Sequence, residues 1–375
     1  MQILLIGNYA LDKQESMLRF AVLMEKELVS RGHTVRLLPP ESYLGRIQSL
    51  GSGAAKWLGY VDKFLIFPRK LKAIKKNFDV VHILDHSNAM YTKHILDVPH
   101  IVTCHDVLAI KSALGEVPQN VVSATGRKFQ ALILAGLKIA QLFVCDSECT
   151  RLDLLRVTQR DPSSASTVYL SLNYPYLPME RGEALARLDK LGFDGRAPFF
   201  IHVGQSSWYK NKLGVLQIFR HLTQLLAPDK SRLLLVGKAL PAPIEEFITE
   251  NDLQSSIVKL SNLSNEDLRA AYSLAEGLIF PSLQEGFGWP VLEAQACGCP
   301  VFTTDKPPMN EVGGAGAVYF DPSDTARAAE IIATALQDKD SIRQRGLANV
   351  LEFSVDQMIQ GYEKAYQRAV DTKRH

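Results

Sequence analysis

Short, unbroken apolar runs alternate with stretches whose apolar residues recur every three or four positions, and this alternation predicts parallel α/β architecture. Ile3-Leu4-Leu5-Ile6 reads as a strand closing on Gly7-Asn8. A helix then runs through Leu18, Val22, Leu23 and Leu28 and ends at Gly32, and residues 34–38 form the next strand. Residues 80–84, 100–103 and 141–145 continue the same sheet. The pattern restarts where residues 199–203 close on Gly204 and residues 233–236 on Gly237, with further strands at 257–260, 277–280 and 301–304. Asn173-Tyr174-Pro175-Tyr176-Leu177-Pro178, followed by a polar stretch to about Arg196, reads as a proline-stiffened linker. We therefore expect domains at 1–178 and 179–354 and a helical tail at 355–373, where Met358, Ile359, Tyr362 and Tyr366 fall at helical spacing. One βα pattern begun twice means two similar domains, not a short solenoid repeat. Doubly wound sheets bind ligands outside the carboxyl ends of their strands, so the expected site is the cleft between the two sheets.

Composition narrows this picture. The chain has 375 residues, enough for two cores, and 42 Lys+Arg against 40 Asp+Glu. Residues 1–180 hold 21 of those cations against 16 acids, so the first half is mildly basic and the second mildly acidic. A charge near neutral, with no ordered basic array, argues against nucleic acid as a partner. The five cysteines are odd in number and lack zinc spacing; Cys104 and Cys145 lie in apolar runs and read as small buried hydrophobes. The start of the chain enters a core strand without a charged leader, and no apolar run reaches membrane-spanning length, so a cytoplasmic location is expected.

The candidate chemistry concentrates in residues 281–301. There Glu285 and Glu293 stand eight positions apart across Gly286-Phe287-Gly288, with Pro290 placed to open a helix. Glu285 falls on the loop and Glu293 about one turn inside the helix. The glycines let a ligand approach the outward-pointing amides. A helix N-terminus favours phosphate and carboxylates accept hydrogen bonds from diols, so the layout suits a nucleotide-sugar. Lys210 follows Gly204 by six residues and is read as opening a helix, a position the helix dipole disfavours unless an anion is met there. His105 and Asp106 follow the strand at 100–103 and so face the expected cleft, while His82, Asp85 and His86, at the end of the strand before, are candidates to line the acceptor side.

The block from Glu285 through Pro290, Glu293-Ala294, Gly298 and Pro300-Val301 resembles the two-glutamate motif of retaining glycosyltransferases of family 4. The resemblance implies the GT-B fold, two Rossmann-like doubly wound domains with an interdomain cleft, and a C-terminal helix that crosses back onto the first domain. It implies transfer of a hexose from a UDP- or GDP-sugar to an acceptor hydroxyl on a glycan or lipid-linked acceptor, with retained configuration, in cell-envelope or exopolysaccharide synthesis. In that frame Glu293 holds the ribose hydroxyls, Lys210 and the amides of Gly286, Phe287 and Gly288 hold the diphosphate, and Glu285 contacts the donor sugar. His105 lies beside the bond exchange with Asp106 orienting it. The family often carries an arginine directly after the glycine, where this chain has Gln205, and several glycines in the first loop, where this chain has Gly7-Asn8; Gln205 and Asn8 are expected among the nucleotide-sugar contacts.

Other readings stay open. Glu285 is either a nucleophile or a partner to same-face attack. Gln205 and the thin first loop support a catalytically silent nucleotide-sugar-binding protein, and a nucleotide-sugar epimerase is a further alternative on this fold. No divalent metal is expected: Asp338-Lys339-Asp340 reads as a turn between helices, and Asp146-Ser147-Glu148 as the cap of a helix starting near Thr150. A nicotinamide fingerprint is absent from the first loop. Residues 56–76 interleave aromatics with lysines, which fits either peripheral contact with the inner face of a membrane or a core segment with a solvated basic face.

Overall fold

A computed structural model describes residues 1–12, 14–43, 58–226 and 231–374. The chain forms two compact units, one of Met1–Asn173 with Val355–His375 and the other of Tyr174–Ser354. The division falls at Asn173/Tyr174, inside the segment read as a linker and five residues before the boundary expected from sequence.

Unit 1 is built on an all-parallel sheet of β1 (Gln2–Ile6), β2 (Thr34–Leu37), β3 (Val80–Ile83), β4 (His100–Cys104), β5 (Leu142–Cys145) and β6 (Ala165–Thr167). Their order is β2-β1-β3-β4-β5-β6. Strands β3, β4 and β5 are buried throughout, as parallel strands covered on both faces must be. Because side chains alternate, Leu4, Ile6, Val81, Ile83 and Val102 join one core with Phe67, Tyr91, Ile133 and Leu137. His82 and Thr103 point to the opposite face. That face is covered by helix α1 (Glu15–Ser30) and by the last helix of the chain, Val355–Arg374. Tyr362 and Tyr366 from this last helix are fully buried, and Tyr366 Oη lies 2.8 Å from His82 Nδ1. The His82 ring closes the network through Thr103 Oγ1 at 2.7 Å.

Unit 2 repeats the plan with β7 (Phe199–Val203), β8 (Arg232–Val236), β9 (Ile257–Leu260), β10 (Gly277–Phe280), β11 (Val301–Thr304) and β12 (Ala317–Phe320). The order is β12-β11-β10-β7-β8-β9, again all parallel. Its core joins Phe200, Leu233, Leu235, Ile279 and Phe302 to Val215, Phe219 and Leu222 of helix α2 (Lys212–Leu225) and to Ala328, Ala329 and Ile332 of a helix at Thr325–Ala335. Each order contains one place where neighbouring strands send their connections to opposite sides of the sheet: β1/β3 in unit 1 and β7/β10 in unit 2. Such a switch point opens a crevice at the strands' carboxyl ends.

Candidate functional site

The β7/β10 switch point of unit 2 gathers Lys210, Glu285 and Glu293. The turn after β7 runs through a short 3-10 segment, Trp208–Lys210, and Asn211 then takes a left-handed conformation with φ 50°. Lys210 therefore precedes the helix that it was expected to open. Helix α2 starts at Lys212, capped by Asn211 Oδ1, which accepts from the Gly214 amide at 3.2 Å. Asparagine tolerates the left-handed region and caps helices, which is why the boundary falls here. Across the crevice, Asn211 Nδ2 donates to the Pro281 carbonyl at 3.1 Å and the Leu283 amide to the Tyr209 carbonyl at 2.8 Å, so the two loops hold one another.

On this frame Lys210 Nζ donates to Glu285 Oε1 at 2.6 Å, with side chains 13% and 9% exposed. The ammonium also lies 5.0 Å from the centre of the Phe280 ring, a cation–π contact. Separating a pair this buried, by removing one partner, costs about 3–5 kcal/mol. Behind it, helix α3 (Trp289–Ala296) begins after Gly288, whose φ of 104° admits little but glycine, and Pro290 lies in its first turn. Glu293 is buried within α3 and accepts from the Tyr272 hydroxyl at 3.2 Å. Tyr272 carried no sequence signal of its own. Gln205, expected in the site, is exposed.

Four buried side-chain atoms here have no hydrogen-bond partner: His202 Nε2, Trp208 Nε1, Ser282 Oγ and Gln284 Oε1. Among the described residues they are all that unit 2 leaves unpaired, and all four flank the switch point. His202 Nδ1 lies 3.0 Å from the Ile279 carbonyl and must donate to it, so Nε2 is a bare acceptor. Burial drives this imidazole down to about 3, so it is neutral. Unpaired buried polar atoms cost about 1–3 kcal/mol each, so these four are candidates to bond a ligand.

Unit 1 presents a different surface at β1/β3. Asn8 Nδ2 donates to Gln14 Oε1 and Asp85 Oδ2, Asn88 Nδ2 donates to Asn8 Oδ1 at 2.9 Å, and the Ser87 amide reaches Asp85 Oδ1 at 2.7 Å. Burial works against the charge on Asp85, but His86, His105 and the Asn8 bond outweigh it and hold the carboxyl below its usual range. His105 is buried at the end of β4. Its Nε2 donates to the Leu84 carbonyl at 2.9 Å, and Nδ1 meets Asp146 Oδ2 at 2.5 Å. The orienting carboxylate is thus Asp146; Asp106, given that part from sequence, instead accepts from the Leu108 amide at 2.9 Å. The register explains the change: Cys104 pairs with Cys145, which sets residues 105 and 146 side by side. Burial opposes protonation of His105, yet the Asp146 carboxylate prevails and holds the ring up at about 9. The helix after β5 is capped by Ser147, which accepts from the Thr150 amide at 3.1 Å, and not by Asp146.

In segment 56–76, Lys56 and Trp57 lie outside the described residues. Phe67 and Leu71 belong to the core, while Lys63 pairs with Asp12, Lys70 with Glu41 and Lys75 with Asp97. Tyr60 and Leu65 remain exposed. No described helix is long and apolar enough to cross a membrane, and no described cluster of three His, Cys, Asp or Glu side chains could hold a metal ion.

With this geometry in place, comparisons with known proteins are consistent across the chain. Residues 186–348 match the family model described as glycosyl transferases group 1, and residues 18–171 match glycosyltransferase family 4. O-antigen chain mannosyltransferase B of Escherichia coli is 25% identical over 93% of this chain and 92% of its own. Among solved structures, sucrose-phosphate synthase from Thermosynechococcus elongatus superposes with a TM-score of 0.75 at 16% identity, covering 99% of this chain and 100% of that one. HepE from Anabaena, in complex with UDP and glucose, superposes at 0.72 with 15% identity, covering 97% and 99%. The two family models, the full-length relative and the two parallel sheets agree: the chain is a family 4-like glycosyltransferase of GT-B fold.

Proposed function

We propose that this enzyme moves a hexose, mannose first among the candidates, from a nucleotide-diphosphate sugar to a hydroxyl of a growing surface glycan, with retained configuration. The observation that carries the reading is the Lys210–Glu285 pair set across the β7/β10 switch point, with Glu293 one helical turn behind. Lys210, the amides of Gly286, Phe287 and Gly288, and the positive end of α3 meet the charge that leaves with the nucleotide. Glu293, oriented by Tyr272, takes the ribose diol, and Glu285 the hydroxyls of the sugar. A carboxylate already holding an ammonium at 2.6 Å is a weak nucleophile, which favours same-face attack over a covalent intermediate on Glu285. In that step the bond from the anomeric carbon to the diphosphate breaks, the acceptor oxygen bonds to the carbon, and its proton passes to the departing phosphate oxygen. His105 has both ring nitrogens engaged, so its part is that of a fixed cation and not a base. Mannose rests on the likeness to the E. coli mannosyltransferase. Docking at the inner membrane face through exposed Tyr60 and Leu65 is part of the same reading.

The test offers GDP-mannose, UDP-glucose and UDP-galactose with a mannose-terminated oligosaccharide, in the presence and absence of EDTA. An α-linked product from an α-linked donor, lost in Glu293→Ala, supports the reading. Donor hydrolysis or epimerisation without a glycosylated product overturns it. Binding without turnover moves the silent-protein reading ahead, which the exposed Gln205 favours.

A further inference from the structure

We propose that Lys212 supplies the second cation of the donor site, standing in for the arginine that Gln205 replaces. The inference rests on the reading of the β7/β10 crevice as a nucleotide-diphosphate site. Lys212 is the first residue of α2 and is only 6% exposed. Among the described residues its ammonium has no carboxylate within ion-pair distance, and its hydrogen bond is a long 3.4 Å contact to Ser206 Oγ. A cation at a helix N-terminus meets the positive end of the dipole, and burial removes the water that would solvate it. Burial accordingly lowers the affinity of Lys212 for its proton. Without an anion the position is unfavourable on each count.

Its location supplies the anion. A Cβ built on Gly237 would stand 3.5 Å from Lys212 Nζ and 2.1 Å from the Gly204 carbonyl oxygen, so the ammonium lies at the carboxyl ends of β7 and β8. Gly237, with φ 152°, keeps that space clear of a side chain. His202, whose bare Nε2 is fully buried, is under the electrostatic influence of both Lys210 and Lys212. Ser282 Oγ, also buried and without a partner, lies at the end of β10 on the other side. Charge balance then decides the matter. Lys210 is matched by Glu285, so together they offer no net charge to a ligand. Each phosphate of a nucleotide-sugar carries a negative charge, and charge-assisted bonds are the strong ones. Lys212 turns a neutral site into a cationic one.

The experiment is titration calorimetry of wild type, Lys212→Met, Lys212→Gln and the double variant Gln205→Arg/Lys212→Met, each with GDP, GMP, UDP and UMP. For the base that the wild type accepts, both single variants should lose about tenfold in affinity for the diphosphate and less than about twofold for the monophosphate. Gln205→Arg should restore the diphosphate preference in the double variant. The ligand-free Lys212→Met protein should melt at or above the wild-type temperature, because an uncompensated buried charge is gone. A diphosphate-to-monophosphate ratio unchanged in both single variants, or not recovered by Gln205→Arg, overturns the proposal for Lys212 and leaves the site reading standing. Wild type that binds none of the four nucleotides overturns both.

Discussion

The switch points of the two sheets have the same architecture and opposite chemistry. At β1/β3, Asn8, Gln14, Asp85 and Asn88 bond one another, while His86, Tyr91 and Thr92 in the segment after β3, and Gln130 and Asp146 elsewhere in unit 1, each keep one unpaired atom. At β7/β10 the polar groups are left open, and every unpaired buried side-chain atom described in unit 2 stands there. The difference teaches that topology provides a crevice, while the side chains decide whether it is sealed or held ready. An open set of polar atoms costs stability in the empty protein and gains it when a ligand arrives.

The sharpest way to break this comparison is Lys210→Ala. It should cut turnover by about a thousandfold through loss of charge stabilisation in the transition state, read as product formed at saturating donor. A variant within tenfold of wild type would remove unit 2's claim to the chemistry.

The next effect is one of pH. The raised His105 titrates near 9 when folded and near 6.5 when unfolded, so its stabilisation is complete below pH 6.5 and is lost as pH rises through 9. On the scale of 1.36 kcal/mol per pKa unit the loss is on the order of 3 kcal/mol. Urea unfolding of wild type and of the neutral pair His105→Gln/Asp146→Asn should converge by that amount between pH 6.5 and 10. Parallel profiles would show that the dyad carries no charge.

A smaller change sharpens the contrast between the units. Asn8→Ala leaves Asp85 and Asn88 short of partners and should lower unfolding free energy by about 1–3 kcal/mol, while nucleotide affinity stays within twofold of wild type. A large loss of nucleotide affinity would place Asn8 in the donor site. The smallest effect is Tyr366→Phe, which deletes the contact with His82 and should cost about 1 kcal/mol in thermal or urea unfolding, without change in turnover. A loss of turnover at unchanged stability would contradict the structural role given to that tyrosine.

Much of this was legible in the chain because the signals are local. Runs such as residues 80–84 and 199–203 are apolar on both faces and bounded by turns, so they read as parallel strands; Gly286, Gly288, Pro290 and Glu293 carry their helix start with them. What the sequence concealed is set by register or by backbone conformation. His105 and Asp146 are 41 positions apart and meet only because Cys104 pairs with Cys145. Lys-Asn-Lys at 210–212 reads as one polar stretch until Asn211 turns left-handed, which puts Lys210 outside the helix and Lys212 at its first position. Tyr272 reaches Glu293 from a separate helix, and nothing in a linear pattern marks that contact.

The last helix has a consequence for how the protein is made. Residues 355–374 wall one face of the sheet begun by residues 2–6, so strands synthesised before unit 2 wait for a segment synthesised after it before His82 and Thr103 are sealed. On the ribosome, unit 2 has all of its own residues available first, while unit 1 stands with an apolar flank uncovered. Nascent chains arrested before residue 355 should therefore yield a protease-resistant unit 2 and a unit 1 that chaperones still recognise. A chain cut short within residues 355–374 would leave one face of the unit 1 sheet open, while the residues of unit 2 would all be present.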